Sequence, residues 1–256
     1  MTSAVDRRAS VELSVIVPAY NEAKRIGPSL AAIISYLQTL PTTWELLVVN
    51  DGSRDNTAAV AAEALGDCPT ARLIDYAPNR GKGYAVRTGV FAAAGRWVIF
   101  LDADLSTPPE EIANALQQLH AGADVVVGSR VHPQARIEQP PSAYRRLATA
   151  VFDQVKYLLV GLRDIADTQC GFKGYRRGAV RPLFERAVVN RFMFDVEILF
   201  LAQRAGLRVV EMPVRWRAAP GSKVRFLEGV VSMIRDLLRI RWAHRGLAQE
   251  RISEKP

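Results

Sequence analysis

Short apolar runs alternate with longer stretches of helical length through the first half of the chain. Apolar and β-branched residues concentrate in five runs, which predict strands at 13–18, 45–49, 71–75, 97–101 and 124–130. Strands that alternate with helices predict crossover connections. We therefore expect an α/β fold: a doubly wound, mostly parallel sheet with helices on both faces.

Carboxylates stand where the predicted strands end. The fourth run ends in Asp102 and Asp104, and the second ends in Asp51. Because residues i and i+2 of a strand point to the same side, Asp102 and Asp104 can converge on one divalent cation. Open α/β sheets bind ligands at this edge. An ordinary loop before a helix that begins with Glu110 and Glu111 is the alternative interpretation.

A glycine-rich loop at 79–83 contains the sequence Gly-Lys-Gly. It lacks the full spacing of a P-loop, and the first strand is not followed by a dinucleotide-binding glycine motif, so neither an ATPase nor a dinucleotide fold is indicated. Lys82 is placed to meet a phosphate, and a solvated surface lysine is the alternative.

The alternation stops after Arg130. Residues 143–162 and 226–241 combine apolar residues at helical spacing with interspersed Arg and Lys, including Lys156. This pattern predicts two basic amphipathic helices. Their apolar faces either contact a membrane surface or pack against the sheet.

Charge is distributed unevenly along the 256 residues. The net charge is +8, with −4 over residues 1–129 and +12 over residues 130–256. The basic half indicates an anionic partner: phospholipid, a phosphorylated substrate or nucleic acid. No helix-turn-helix, zinc-finger or RNP-type pattern accompanies the charge, so we do not expect nucleic acid.

Other features narrow the class of protein. Residues 1–10 are polar, lack the apolar segment of a signal peptide and are expected to form a flexible tail. No apolar run approaches the roughly 20 residues that span a bilayer. Cys68 and Cys170 are far apart and indicate neither a disulfide framework nor a zinc site. A cytoplasmic protein, free or attached to a surface, is expected.

Taken together, the motifs resemble those of a known family. They occur in order along residues 13–240: Val15-Ile16-Val17-Pro18-Ala19-Tyr20-Asn21-Glu22, Asn50-Asp51-Gly52-Ser53, Asn79-Arg80-Gly81-Lys82-Gly83, Asp102-Ala103-Asp104, Gly128-Ser129-Arg130, Asp167-Thr168-Gln169-Cys170-Gly171-Phe172-Lys173, Phe194-Asp195-Val196-Glu197 and Gly221-Ser222-Lys223. The set is similar to the GT-A-fold, family 2 glycosyltransferases, and within them to the polyprenyl-phosphate (dolichyl-phosphate) β-glucosyltransferase group.

The resemblance implies a donor site at the sheet edge. Its nucleotide-sugar pocket would be lined by Pro18, Tyr20, Glu22, Asp51, Lys82 and Asp102. Asp102 and Asp104 would hold Mg²⁺ or Mn²⁺ beside the diphosphate. Asn50 departs from the pattern, since many relatives carry an aspartate there, and Ser106 stands where the related mannosyl-transferring group often has glutamine.

The resemblance also implies an acceptor site in the basic half. Arg130, Ser222 and Lys223 would bind an acceptor phosphate. Asp195 and Asp167 are the candidate catalytic carboxylates, which would orient or deprotonate the acceptor; a helix cap or the partner of a buried arginine is the alternative for both.

The implied activity is inverting transfer of glucose from UDP-glucose to a polyprenyl phosphate at the cytoplasmic face of a membrane, with peripheral membrane contact. Alternatives are GDP-mannose as donor, a soluble glycan or protein as acceptor, or a catalytically silent module that binds nucleotide sugars. We expect one GT-A domain over 11–243, with a donor half at 11–130, an acceptor half at 131–243 and a tail at 244–256. The pattern does not indicate an oligomeric state.

Overall fold

A computed structural model describes residues 11–138, 143–162, 164–218 and 226–246. In chain order these form β1 (Leu13–Ala19), α1 (Ile26–Leu37), β2 (Trp44–Asp51), α2 (Thr57–Leu65), β3 (Ala71–Tyr76), α3 (Lys82–Ala92), β4 (Trp97–Leu101), α4 (Glu111–His120), β5 (Val125–Ser129), β6 (Arg136–Ile137), α5 (Ala143–Val160), β7 (Phe172–Arg176), α6 (Arg177–Arg186), α7 (Phe194–Arg204), β8 (Val209–Pro213), β9 (Arg215–Trp216) and α8 (Phe226–Ala243). The predictions for residues 1–10 and for Ser222 and Lys223 lie outside the described residues.

Seven strands form the central sheet, in the order β3-β2-β1-β4-β7-β5-β8. All neighbours are parallel except β7, which is antiparallel to both β4 and β5. The five predicted strands are present, and the predicted mostly parallel α/β sheet is confirmed. β6 and β9 pair separately.

Alternate strand residues face two apolar cores, one on each side of the sheet. In β1, Val15 and Val17 belong to the core covered by α1, α2 and α4, while Ile16 belongs to the core covered by α3 and α5–α8. All three side chains are fully buried. Helices on both faces, as predicted, explain why these strands are continuous apolar runs.

Two strands of the sheet come from the half of the chain in which the alternation stops. β7 and β8 were not predicted, and both join the sheet of the first half. The apolar pattern of β7 is interrupted by Lys173 and Gly174, which hide it from a search for apolar runs. Because β7 runs antiparallel, its first residue, Phe172, lies beside Leu101 at the end of β4.

The α5 and α8 helices pack against each other and against the sheet-facing core. Lys156, one of the basic residues of the first predicted amphipathic helix, is buried, with its Nζ 3.0 Å from Asp153 Oδ1. His244, directly after α8, is buried, with its Nε2 2.7 Å from Glu197 Oε1 of α7. None of the described helices is both long enough and apolar enough to cross a bilayer.

The topology collects the sequence motifs at one sheet edge. β2, β1 and β4 are adjacent and parallel, so the residues that follow them, including Asp51, Tyr20 and Asp102, emerge on the same side. The antiparallel β7 brings Gly171 to that edge, and the end of the parallel β5 brings Arg130.

Candidate functional site

The predicted metal motif forms a tight turn directly after β4. The amide of Asp102 donates to the Gly171 carbonyl at 3.1 Å, and the amide of Leu105 donates back to the Asp102 carbonyl at 3.1 Å. Leu105 adopts a left-handed conformation with φ +49°. The Asp104 carboxylate accepts from the Ser106 amide at 2.9 Å, which fixes the second carboxylate within the turn.

Gly171 makes room for the Asp102 carboxylate. A Cβ at this position would lie 1.9 Å from Asp102 Oδ2, far inside van der Waals contact. The DTQCG motif therefore contains a glycine because the carboxylate occupies the space of its side chain. Any larger residue must displace the carboxylate or the strand end.

Lys82 provides the positive charge beside this motif. Its Nζ lies 2.6 Å from Asp102 Oδ1, and both side chains retain partial exposure. Burial opposes the charge on Lys82, but Asp102 and Asp195 outweigh it and raise the pKa of the ammonium group. Lys82 thus stays positively charged at neutral pH, in an ion pair that remains partly open to solvent.

Two glycines hold the lysine in place. A Cβ on Gly81, where φ is +104°, would lie 2.5 Å from the Asn190 carbonyl oxygen, and one on Gly83 would lie 2.5 Å from Phe194 Cβ. The first turn of α3 therefore packs tightly against the segment 187–191 and the start of α7. The glycines of the Gly-Lys-Gly sequence therefore allow this close packing, and they do not form a P-loop.

The segment 187–191 is itself anchored by charged side chains. The Glu197 carboxylate accepts from the amides of Val188 and Val189 at 2.9 and 2.8 Å, and its Oε1 lies 2.7 Å from His244 Nε2. Arg87 donates to Asn190 Oδ1 at 2.9 Å. Glu197 belongs to the motif Phe194-Asp195-Val196-Glu197, but the sequence predicted no role for it. Its position two residues after Asp195 was the feature that could have indicated one.

Asp195 lies in the first turn of α7 and is buried. Lys173 from β7 is also fully buried, and its Nζ lies 2.8 Å from Asp195 Oδ1, an ion pair whose angles are not those of a hydrogen bond. The ammonium group also donates to the Cys170 carbonyl at 2.7 Å. Burial raises the pKa of Asp195, and the charges of Lys173 and Lys82 offset this only in part. Sequence reasoning assigned no role to Lys173.

Asp167 pairs with Arg130. The Asp167 Oδ2 accepts from Arg130 Nε at 2.7 Å and from its amide at 2.9 Å, and Oδ1 accepts from Nη2 at 2.8 Å. Burial alone would raise the pKa of Asp167, but the hydrogen bonds and charge of Arg130 outweigh it and lower the pKa. Glu211 fixes the backbone by accepting from the Asp167 amide at 3.0 Å. The buried Asp167 carboxylate is thus the partner of a partly exposed arginine.

Asp51 is buried and engaged by its own fold. Its carboxylate accepts from the Tyr76 hydroxyl at 2.9 Å, from Asn79 Nδ2 at 2.7 Å, and from the amides of Arg80 and Gly81 at 2.8 Å each. These contacts hold the 79–81 loop that leads into Lys82. The geometry thus gives Asp51 a role in positioning the loop before Lys82.

The other predicted donor-site residues lie at the end of β1. Pro18 is buried in the strand, opposite Val49 of β2, while Tyr20 is exposed just beyond it. Glu22 forms an ion pair with Arg25. The pKa of Arg25 is raised mainly by its hydrogen bond to Glu22 and to a smaller extent by the charge of Asp104. These contacts bring the β1 loop within electrostatic range of the metal motif.

The residues present fit a divalent cation held together with a phosphorylated ligand. Two carboxylates one residue apart offer hard oxygen ligands, and the Gly171 cradle keeps one of them in a fixed position. Within the described ranges, no group of three or more Asp, Glu, His or Cys forms a complete protein cage. Mg²⁺ is commonly bound in this way, by one or two carboxylates plus phosphate oxygens and water.

A separate cavity of about 480 Å³ lies at the opposite end of β4, lined by Arg96, Trp97, His120 and Arg176 among others. It contains none of the predicted site residues. The candidate site is the charged cluster at the carboxyl edge: Asp102 and Asp104 with Lys82, Asp195 with Lys173, and Asp167 with Arg130. The charge of Asp102 raises the pKa values of both Lys82 and Arg130, which shows that the three groups are close.

Comparison with known proteins agrees with this arrangement. The family model described as "Glycosyl transferase family 2" matches residues 14–184, two thirds of the chain. The chain belongs to glycosyl transferase family 2. Family 2 relatives include the dolichyl-phosphate beta-glucosyltransferase of Drosophila melanogaster, 38% identical over 244 residues, with 90% of this chain and 74% of the relative covered. The Homo sapiens protein of the same name is 35% identical, with 90% and 75% covered.

Solved structures show the same fold. Glucosyl-3-phosphoglycerate synthase from Mycobacterium tuberculosis, in a complex with Mn²⁺, UDP and phosphoglyceric acid, aligns with a TM-score of 0.67 at 21% identity and covers 94% of this chain and 81% of that one. A complex of that enzyme with Mg²⁺ and UDP aligns equally well. The predicted GT-A fold is thereby confirmed.

Proposed function

We propose that this family 2 protein is a metal-dependent inverting glucosyltransferase that transfers glucose from UDP-glucose to a dolichyl-type polyprenyl phosphate. The observation that carries the proposal is the convergence of two partly exposed cations, Lys82 and Arg130, with the paired carboxylates Asp102 and Asp104 at one sheet edge. The buried Lys173–Asp195 pair lies beneath them. A transfer between a diphosphate donor and a phosphate acceptor requires positive charge for two anions. The names of the curated relatives support the choice of sugar and acceptor.

The donor half of the site is built from β4 and α3. Asp102 and Asp104 would hold Mg²⁺ or Mn²⁺, which when bound supplies Lewis-acid stabilisation of the departing diphosphate. Lys82 lies beside Asp102 and supplies a second positive charge where the leaving group gains negative charge. Pro18, Tyr20 and Glu22 would line the nucleotide pocket.

Arg130 is the best-placed residue for the acceptor phosphate. A guanidinium group has five N–H donors, and Asp167 engages Nε–H and one N–H of Nη2, which leaves three. The pairing fixes the plane of the fork and keeps part of it exposed. Asp167 in this role positions Arg130. Ser222 and Lys223 remain proposed phosphate ligands.

The acceptor brings its own nucleophile, because a phosphate monoester is largely ionised at neutral pH. A phosphate oxygen attacks the anomeric carbon of glucose from the side opposite the diphosphate, and the carbon–oxygen bond to UDP breaks with its electron pair leaving on UDP. The anomeric configuration is inverted in this single step. No proton need be removed, so Asp195 acts through its charge, by holding Lys173 and Lys82 in place.

A transfer assay with radiolabelled sugar tests the proposal. UDP-glucose or GDP-mannose is offered with polyprenyl phosphate in detergent, with Mg²⁺ or with EDTA. We expect labelled lipid from UDP-glucose that disappears in EDTA. Labelling from GDP-mannose alone would overturn the choice of donor, and transfer only to a soluble glycan or protein would overturn the choice of acceptor. Binding of UDP-glucose without transfer would indicate a silent binding module.

A further inference from the structure

The α8 helix is apolar on two sides. Its inner side packs into the core through Leu237 and Ile240, both fully buried. Its outer side carries a row at i, i+4 and i+8 that stays open to solvent among the described residues: Ile234, Leu238 and Trp242 are 39%, 49% and 67% exposed. Because residues four apart lie on the same helix face, the three side chains form one continuous strip. A helix that needed only to pack on the protein would be polar there.

The charges around this strip all have the same sign. Arg235, Arg239, Arg241 and Arg245 are exposed. Asp236 is the one acidic residue between 232 and 246 in the sequence, and its side chain is largely buried. Arg235 and Arg239 follow Ile234 and Leu238 by one position, so they flank the strip on one side. Arg241 lies on the other side, where it also donates to the Leu159 carbonyl at 3.0 Å, and Arg245 follows Trp242 just beyond the helix end. Trp242 has the Arg245 guanidinium 4.7 Å from its ring centroid.

From these observations we infer that the outer face of α8, defined by Ile234, Leu238, Trp242 and the four arginines, binds the surface of an anionic lipid bilayer. An apolar strip inserted at the boundary of headgroups and chains, with arginines reaching the phosphates on both sides, is the arrangement of interfacial helices. Tryptophan favours this boundary because its ring is apolar and its N–H is polar. The inference rests on the proposed function, which places the acceptor phosphate at a bilayer.

A second copy of this chain fits the face poorly. A two-fold dimer would bring the same patch against itself, so the four arginines of one copy would meet those of the other. Like charges in an interface oppose association. An anionic lipid surface meets the apolar strip and the arginines together.

The face is connected to the candidate site through the fold. His244, at the end of α8, contacts Glu197, which anchors the segment against which the first turn of α3 packs. At its other end, α8 begins at Phe226, eight residues after Ala218, and the neighbouring Arg217 amide donates to the Ser106 carbonyl in the metal turn at 2.9 Å. Membrane contact through α8 would therefore hold the bilayer near the carboxyl edge of the sheet.

Vesicle sedimentation tests the inference. Wild-type protein is mixed with anionic vesicles, made of phosphatidylcholine with about 30% phosphatidylglycerol, and separately with neutral vesicles of phosphatidylcholine alone. We expect binding to the anionic vesicles, which weakens as salt is added. The triple variant I234S/L238S/W242S should bind at least about 30-fold more weakly, because three apolar side chains no longer insert.

Phe91→Ser is the matched control. Phe91 is a partly exposed aromatic residue on α3 whose ring centroid lies 5.4 Å from the Arg181 guanidinium, so it resembles Trp242, which also lies beside an arginine. The control should bind vesicles as the wild type does. Equal loss in both variants, full binding by the triple variant, or no binding by the wild type would overturn the inference. A change from dimer to monomer in the triple variant would assign the face to a second copy instead.

A soluble acceptor separates this inference from the proposed function. The triple variant should transfer glucose to a short, water-soluble isoprenyl phosphate within about twofold of the wild-type rate, while losing transfer to acceptor embedded in vesicles. Vesicle binding through α8 without any transfer would contradict the proposed function alone. Transfer to the soluble acceptor without vesicle binding would contradict the α8 inference alone.

Discussion

Two lysine–aspartate pairs lie against the same aromatic ring, yet they serve the protein differently. Lys82 and Lys173 have their Nζ atoms 5.7 and 5.5 Å from the Phe100 ring centroid, and their partners, Asp102 and Asp195, are 2.6 and 2.8 Å away. The side chains of the first pair are 20% and 34% exposed, whereas those of the second are 0% and 4% exposed.

The difference in burial separates a pair that can open from one that cannot. Water can replace either partner of the exposed pair, so Asp102 and Lys82 can each separate from the other and bind a ligand instead. Separating Asp195 from Lys173 would leave a charge in a dry interior, which costs several kcal/mol. The two pairs have similar distances, but their difference in burial indicates ligand binding at the sheet edge and structural support beneath it.

Replacement of Asp102 should give the largest effect on activity and little on stability. Asp102→Asn keeps the shape but removes the charge that would bind the cation, so we expect the transfer rate to fall by about 10³-fold or more. The midpoint of thermal unfolding should change by less than about 2 °C. Asp104→Ala should show the same division. Full activity in either variant would exclude a role for this motif in metal binding.

Replacement of the buried lysine should show the reverse pattern. Lys173→Met leaves Asp195 buried without its partner and should lower the free energy of unfolding by about 3–4 kcal/mol, measured by urea denaturation. Lys82→Met, at the exposed pair, is the matched variant. It should cost about 1 kcal/mol or less in stability, but about 10²-fold in transfer rate. Equal stability losses in the two variants would remove the distinction drawn between the pairs.

Gly171→Ala tests whether the exposed carboxylate is held in position by its cradle. The new Cβ would displace Asp102, so we expect the transfer rate to fall by about 10²-fold, near the largest effects seen for small misplacements. Gly178→Ala on α6 is the control, since a Cβ there meets nothing within 4 Å. It should leave activity unchanged and raise stability slightly. Unchanged activity in Gly171→Ala would show that the carboxylate position is not critical.

The Arg130–Asp167 pair is intermediate, with one partner partly exposed and the other buried. Its stabilisation should be smaller, about 1–2 kcal/mol at neutral pH. Because the pKa of Asp167 is lower in the folded protein, this contribution is fully present above the unfolded pKa near 3.8 and is lost as the pH falls through the folded value. Wild type and Asp167→Asn should therefore differ in stability at pH 7 and converge in acid once the pH has fallen through the lowered pKa of Asp167, measured by urea denaturation. A difference that persists there would contradict the assignment.

The sequence by itself determined five of the seven strands of the sheet and the edge at which the charged motifs lie. Apolar runs such as Val98–Leu101 specify strands buried on both faces, because each residue faces one of two cores. The carboxylates at strand ends and the Gly-Lys-Gly loop stand out in the sequence, because turn residues and charges interrupt the apolar pattern. The family resemblance supplied their proposed roles.

Tertiary structure alone decided which charge meets which. Lys173, Gly171 and Glu197 act through contacts to Asp195, Asp102 and His244, respectively, and no local pattern encodes such pairings.

 In sequence, Lys173 stands 22 residues from Asp195, Gly171 stands 69 from Asp102, and Glu197 stands 47 from His244. Burial likewise follows from the fold: the same Lys–Asp pairing is open to ligands at the sheet edge and closed beneath it.

The α8 helix shows the same division. Its spacing of apolar and basic residues predicted an amphipathic helix, but whether the apolar residues faced the core or the outside was left open by the sequence. The structure assigns Leu237 and Ile240 to the core and leaves Ile234, Leu238 and Trp242 outside. Periodicity determines which residues share a face, because it depends on the local geometry of the helix. Only packing against the rest of the chain determines which face meets solvent.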